Sequence, residues 1–280
     1  MSKIPLEDDF NDIIAKAQHG LSLSDDELAR RAGVAAQEVT KARRGEFDET
    51  TVRKLASALN LNADALVAIG EKAWYPKDIG KVVGLACFST AYDDMRVNSY
   101  FIWDPETDNG ACLDTGADAS PMIQFAADRE IRIQMVLLTH THSDHIADLE
   151  RLTAETGAKA FASKLEAIPG VQTFEPGENI RVGKLVIETR ATSGHSRGGI
   201  TYVVEGLARR IAVVGDAIFA GSMGGGMVSY EDALRNNCEH ILTLPEDTIL
   251  CPGHGPLTTV GEEKEHNPFF ASLYCAVPRS

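Results

Sequence analysis

Apolar positions over the first seventy residues recur at helical spacing. Ile13, Ile14 and Ala17 share one face, Leu28, Ala29 and Ala32 a second, Val52, Leu55, Ala56 and Leu59 a third, and Ala65, Leu66 and Ile69 a fourth. Ser24 followed by Glu27 predicts a capping box, Gly33 a tight turn, and Gly45 the cap of a helix over about 35–44. After Trp74-Tyr75-Pro76 the period changes to short β-rich runs separated by glycine turns. Strands are predicted at Val82–Phe88, Ser99–Trp103, Ala111–Asp114, Val136–Thr139, Leu185–Arg190, Ile200–Val204, Arg210–Val214 and Thr248–Cys251. Helical patterns fall between some of them, at Pro121–Arg129, Ile146–Thr156 and Tyr230–Leu242. This interleaving predicts a layered α/β domain with sheet packed on sheet. The chain is expected to divide into a small all-α unit, 1–73, and an α/β unit, 77–280, with its own core.

The stretch SDDELARRAGVAAQEVTKARRGEFDETTVRKLASALNLNADAL resembles the helix-turn-helix domains of Cro-type transcriptional repressors, in its apolar spacing and its two glycines. In that family the third helix enters the major groove. The resemblance implies that Gln37, Thr40 and Lys41 would face DNA, with Arg43 and Arg44 near the helix end. Residues 1–70 carry nine Lys/Arg and twelve Asp/Glu, a net of -3, so DNA contact would need one basic face rather than bulk charge. The alternative is a module kept for assembly. Repressor-like units commonly pair, and a homo-oligomer is expected.

Charge narrows the partners further. The 280 residues sum to -14, which argues against a general nucleic-acid or membrane-surface binder but leaves small anions open, since bound metal ions can invert the local field. Five widely spaced cysteines (Cys87, Cys112, Cys238, Cys251, Cys275) with no C-x-x-C pair are expected to be reduced thiols. No signal peptide and no apolar run of spanning length is visible, so a cytoplasmic location with no membrane partner is expected.

The chemistry concentrates at strand ends. The apolar run Val136-Leu137-Leu138 is followed by Thr139-His140-Thr141-His142-Ser143-Asp144-His145, four candidate donors within six residues. A divalent metal needs converging nitrogen and oxygen donors, and a turn at a strand end can aim alternate side chains into one pocket. Thr192-Ser193-Gly194-His195 follows one predicted strand, Gly215-Asp216 ends another, and Cys251-Pro252-Gly253-His254 ends a third. Singly, Asp216 or His254 reads better as a turn residue or a buried hydrogen-bonded group than as a ligand. As an ordered set, five of the eight histidines sit just after strands, whereas His19, His240 and His266 have no such context.

These motifs (THTHSDH, SGHS, GDAIFAGS, and CPGHGPLTTVGEE followed by HNPF) resemble the metallo-β-lactamase superfamily, and within it the hydroxyacylglutathione hydrolase (glyoxalase II) branch, over nearly all of 77–280. The resemblance implies an αββα sandwich and two divalent transition metals, with zinc favoured over iron or manganese. It implies that His140, His142 and His195 hold one ion, that Asp144, His145 and His254 hold the other, and that Asp216 bridges them, with Asp114 orienting a ligand histidine. The implied reaction is attack on a thioester, or a related ester or lactone, by a hydroxide shared between the ions, with Asp144 and Asp216 as the catalytic carboxylates. The segment Gly221–Gly226 lacks the arginine that this branch usually carries after G-S-x-G, which implies a missing anion contact. Its triple glycine predicts a mobile loop at the pocket mouth. Two other readings stand beside this one. The first is a mononuclear iron enzyme similar to persulfide dioxygenases, and the second is a DNA-binding regulator whose metal domain senses a ligand.

Overall fold

The computed structural model describes residues 3–271, so Cys275 lies outside the described residues. Five helices come first: α1 (Phe10–Gly20), α2 (Asp25–Ala32), α3 (Ala36–Arg43), α4 (Glu49–Ala58) and α5 (Ala63–Gly70). The predicted capping box opens α2, where the Ser24 hydroxyl accepts from Glu27 N and Gly33 closes the helix in the left-handed region.

Two six-stranded sheets follow. The first, in spatial order β1 (Leu85–Tyr92), β2 (Met95–Asp104), β3 (Asn109–Leu113), β4 (Arg132–Leu137), β5 (Lys159–Ser163) and β6 (Gln172–Phe174), is antiparallel up to β3 and parallel beyond it. The second runs β12 (Thr258–Thr259), β11 (Ile249–Pro252), β10 (Ile211–Gly215), β9 (Ile200–Glu205), β8 (Leu185–Ala191) and β7 (Asn179–Val182), with only β10 and β11 parallel. Helices α6 (Ser120–Ala127) and α7 (Leu149–Thr156) flank the first sheet. The later helical elements of the described residues are α8 (Tyr230–Asn236), a π-helical turn over Asn237–Ile241 and α9 (Val260–His266).

The period of two along each strand sorts side chains into three cores. Tyr100, Ile102, Leu113 and Leu137 meet Tyr202, Val204, Ile211, Val213 and Ile249 between the sheets. Phe101, Cys112, Val136 and Leu138 point outward, onto Met122 and Ala126 of α6 and Leu152 of α7. On the second sheet, Val203, Ala212, Val214 and Leu250 point outward into a third core that also holds Phe10, Ile13, Leu28, Val39, Leu55, Leu66 and Ile69. The helical unit therefore shares one continuous core with the sandwich. The other two cores belong to the α/β unit alone.

All eight predicted strands are present, with shifted ends. Strand β1 begins at Leu85 rather than Val82 because its register is set by the hairpin pairing Tyr92 with Met95. Strands β5, β6, β7 and β12 went unpredicted. They are short, and ladder pairing rather than apolar alternation makes them strands. Cys87, Cys112 and Cys251 are free thiols, as expected, whereas Cys238 is disulfide-bonded. No described helix is long and apolar enough to cross a membrane.

Candidate metal centre

Strand direction explains why distant motifs meet. Strand β9 is antiparallel to both β8 and β10, and β10 is parallel to β11, so β8, β10 and β11 run the same way. Their C-terminal ends share one edge of the sheet and deliver His195, Asp216 and His254 there, opposite the turn after β4 that carries His140 to His145.

The donor atoms converge. Nε2 of His140 and Nε2 of His195 lie 3.1 and 3.0 Å from Nδ1 of His142. Nε2 of His145 lies 3.2 Å from Oδ1 of Asp216 and 3.5 Å from Asp144, and Nε2 of His254 lies 3.2 Å from Asp144. The other Asp216 oxygen is 3.4 Å from His195 and 3.5 Å from His254, so this carboxylate stands between both groups. Three sets of donors each fall within 4.8 Å: His140, His142 and His195; His140, His145 and Asp216; and Asp144, His145 and His254.

Each histidine that points Nε2 inward has its Nδ1 held from behind. Nδ1 of His145 meets Asp114 at 2.8 Å, Nδ1 of His254 the Arg96 carbonyl at 2.7 Å, Nδ1 of His195 the Gly225 carbonyl at 3.0 Å, and Nδ1 of His140 the Thr139 hydroxyl at 3.0 Å. Such outer contacts fix ring orientation and tautomer. Asp114 also accepts from the Thr139 amide and hydroxyl at 2.7 Å each. His140, His145, Asp216 and His254 are buried, whereas His142, Asp144 and His195 are partly exposed and form the open side.

The site fits a cation. Nε2 of His145 and Oδ1 of Asp216 are buried and, though 3.2 Å apart, make no aligned hydrogen bond with each other or with any other group, an expensive arrangement that an ion would relieve. Electrostatics differ between the two halves. Desolvation holds His140 well below its ordinary value and His195 below it, so both are neutral donors at pH 7. Burial also opposes a charge on His145 and His254, but the carboxylates around them prevail. Asp216 and Asp114 push His145 up to about 10, while Asp144 and Asp216 push His254 up to about 11. Asp216 is held well below its ordinary value despite burial, chiefly by His145 and His254. The carboxylates thus concentrate positive charge where the second donor group lies.

Local sequence does not reveal every support. Glu166 accepts from the Thr141 hydroxyl at 2.6 Å and the Gly198 amide at 2.8 Å, bracing the His140–His145 turn against the loop beyond His195. Its partners lie 25 and 32 residues away, so no spacing rule singles it out. Gly253 is required by close approach, because a Cβ there would stand 2.1 Å from Oδ1 of Asp216. Two glycines of the 221–226 loop are required on the same ground. A Cβ on Gly224 would stand 2.0 Å from the Asp216 carbonyl, and one on Gly226 would stand 2.4 Å from Tyr230. At these two positions the glycines serve packing rather than motion. On α3, the candidate DNA face, Gln37, Lys41, Arg43 and Arg44 are exposed, Thr40 is half-buried, and Arg43 pairs with Asp25 at 3.3 Å.

A family model described as the metallo-beta-lactamase superfamily matches residues 92–254, which span every candidate donor. The chain belongs to this superfamily. Among its relatives, hydroxyacylglutathione hydrolase GloC of Haemophilus influenzae is 28% identical over 203 residues, covering 64% of this chain and 94% of that protein. The human mitochondrial persulfide dioxygenase ETHE1 is 28% identical over 181 residues, covering 61% and 70%. Among solved structures, ETHE1 from Myxococcus xanthus aligns with a TM-score of 0.58 at 25% identity, covering 69% of this chain and 92% of that one. The protein TTHA1623, in a di-iron-bound form, aligns at 0.55 and 25%, covering 65% and 99%. This metallo-beta-lactamase member carries its five N-terminal helices outside the family match.

Proposed function

We propose that this protein is a binuclear metal-dependent hydrolase of a thioester or related acyl bond, similar to glyoxalase II. The observation that carries the reading is the complete donor set divided into two groups about Asp216, with Oδ1 of Asp216 and Nε2 of His145 left without partners. In this reading His140, His142 and His195 hold one ion, Asp144, His145 and His254 hold the other, and Asp216 serves both. Two divalent ions would supply a water of near-neutral pKa and charge stabilisation at the carbonyl oxygen.

The chain's own residues prepare the site for that role. Asp114, Thr139, Gly225 and the Arg96 carbonyl orient the imidazoles, so the donors are aligned before any ion arrives. Asp144 lies at the open side, where substrate would enter. Exposed Met227 and Val228 follow the glycine loop, and the Val228 amide donates to the Gly194 carbonyl at 3.0 Å, beside His195. That apolar pair suits an acyl substituent.

The test is metal content of the purified protein together with hydrolysis of thioester, lactone and β-lactam substrates. About two transition-metal ions per chain, with thioester turnover, is the expected outcome. Asp216→Ala should remove more metal than any other single donor change, because its carboxylate would serve both ions and offset their mutual repulsion. The similarity to the human persulfide dioxygenase ETHE1, and to ETHE1 from Myxococcus xanthus, supports a second reading, a mononuclear iron oxygenase. One tightly held iron, with oxygen uptake on a persulfide and no thioester hydrolysis, would replace the first reading with it.

A further inference from the structure

We propose that Asp8 and Lys16, from the N-terminal helical unit, are positioning residues of the metal centre. They fix the 221–226 loop whose Gly225 carbonyl holds the His195 ring, an inference that rests on the metal-site reading above.

Only the short Phe219–Ser222 bridge gives this loop regular structure, and three consecutive glycines then follow. Glycine runs lose much conformational entropy on ordering, so such a segment needs anchors. Part of the anchoring comes from the sandwich: Gly221 N donates to Glu263 at 3.0 Å, and the Asn267 amide group donates to the Ser222 carbonyl at 2.8 Å. The rest comes from the helical unit. The buried Asp8 carboxylate accepts from the Ser222 hydroxyl and from the Lys16 ammonium, both at 2.5 Å. That ammonium also donates to the Met223 carbonyl at 2.9 Å.

Two residues beyond Met223, the Gly225 carbonyl meets Nδ1 of His195 at 3.0 Å. The path from Lys16 to a candidate metal donor is therefore one hydrogen bond, two residues of backbone and one more hydrogen bond. A looser contact reaches the other donor group: the ammonium lies 5.0 Å over the Phe219 ring, which sits 5.6 Å from the His254 ring. The hydrogen-bonded path makes His195 the more sensitive end. Asp8 and Lys16 both fall outside the 92–254 family match, so this clasp is supplied by the part of the chain that the family model leaves uncovered.

The test uses the full chain loaded with cobalt(II), comparing wild type with Ser222→Ala, Lys16→Met and Lys16→Arg. Chelator competition and the visible spectrum of the bound cobalt are the readouts. In Ser222→Ala and Lys16→Met, one of the two metal equivalents should be lost about tenfold more readily, with a changed spectrum, as expected for weakened outer contacts to a metal ligand. Lys16→Arg, which keeps the cation, should stay near wild type. If Lys16→Met does not fold, Ser222→Ala carries the same comparison, since it deletes one hydroxyl. Unchanged metal retention and spectrum in Ser222→Ala would overturn the proposal, even with a lowered melting temperature, because glue between the two parts of the fold would move only the latter. A wild-type protein that binds no cobalt would overturn the metal-site reading instead.

Discussion

The Asp114 carboxylate meets Nδ1 of His145 at 2.8 Å, from a backbone held in the left-handed region at φ 57°. Among non-glycine residues, Asp and Asn enter that region most readily, so side chain and conformation are selected together. Asp114→Ala removes three hydrogen bonds and also places alanine at an unfavourable φ. Metal affinity should fall by about 10–100-fold, and stability should fall with it. Asp114→Asn tolerates the backbone but loses the charge, so it should lose metal while melting closer to wild type. Chelator titration beside thermal denaturation separates the two effects.

Glu166 supplies an acid limb. Burial opposes its charge, but hydrogen bonds from Thr141 and Gly198 outweigh burial and hold the carboxyl below its ordinary 4.5. A depressed carboxyl stabilises the fold above its unfolded-state value, and that contribution disappears as pH falls through and below about 4.5. Glu166→Gln should therefore lower the melting temperature at pH 7, with the gap to wild type closing in acid. A gap that stays constant from pH 7 to pH 3 would remove Glu166 as the titrating brace.

Two neighbouring glycines should respond in opposite ways. At Gly224 an added Cβ meets the Asp216 carbonyl at 2.0 Å and Nδ1 of His195 at 2.9 Å, whereas at Gly225 its nearest contact is Met227 at an ordinary 3.7 Å. Gly224→Ala should cost roughly 1–3 kcal/mol or more, as overpacking against fixed backbone does, and should displace metal. Gly225→Ala should be nearly silent in urea unfolding. Equal losses at both positions would mean that the loop is disordered in solution.

The shared core alters what truncation should do. A chain starting at Lys77 loses Phe10, Ile13, Leu55, Leu66 and Ile69 from the cluster that contains Val203, Ala212, Val214 and Leu250. Uncovered apolar surface on that scale promotes association, so the truncated protein should aggregate rather than remain as a smaller active species. Solubility and light scattering check this. In the full chain, the exposed Lys41 and Arg43 on α3 are the residues to test for DNA: Lys41→Ala with Arg43→Ala should weaken any salt-sensitive gel shift. Retardation that ignores both salt and these changes would exclude α3 as the contact.

What the sequence determined by itself follows from local physics. Periods of 3.6 and 2 marked the helices and the longer strands, and the apolar runs ending at Thr139, Gly215 and Gly253 marked where donors would cluster, because a strand end holds its turn rigidly. His140, His142, Asp144 and His145 stood out for that reason, whereas His195, Asp216 and His254 joined them only as an ordered set and through the family resemblance that the set carries. Tertiary structure alone decided what depends on chain segments far apart in sequence. Glu166 bracing two donor loops, the Arg96 carbonyl behind His254, the close approach that requires Gly224, and the clasp from Asp8 and Lys16 onto residues more than two hundred positions away have no local signature. The docking of the helical unit is of the same kind. Helix periodicity showed that each helix has an apolar face, but only the outward-facing side of β9 to β11 decided what that face would cover.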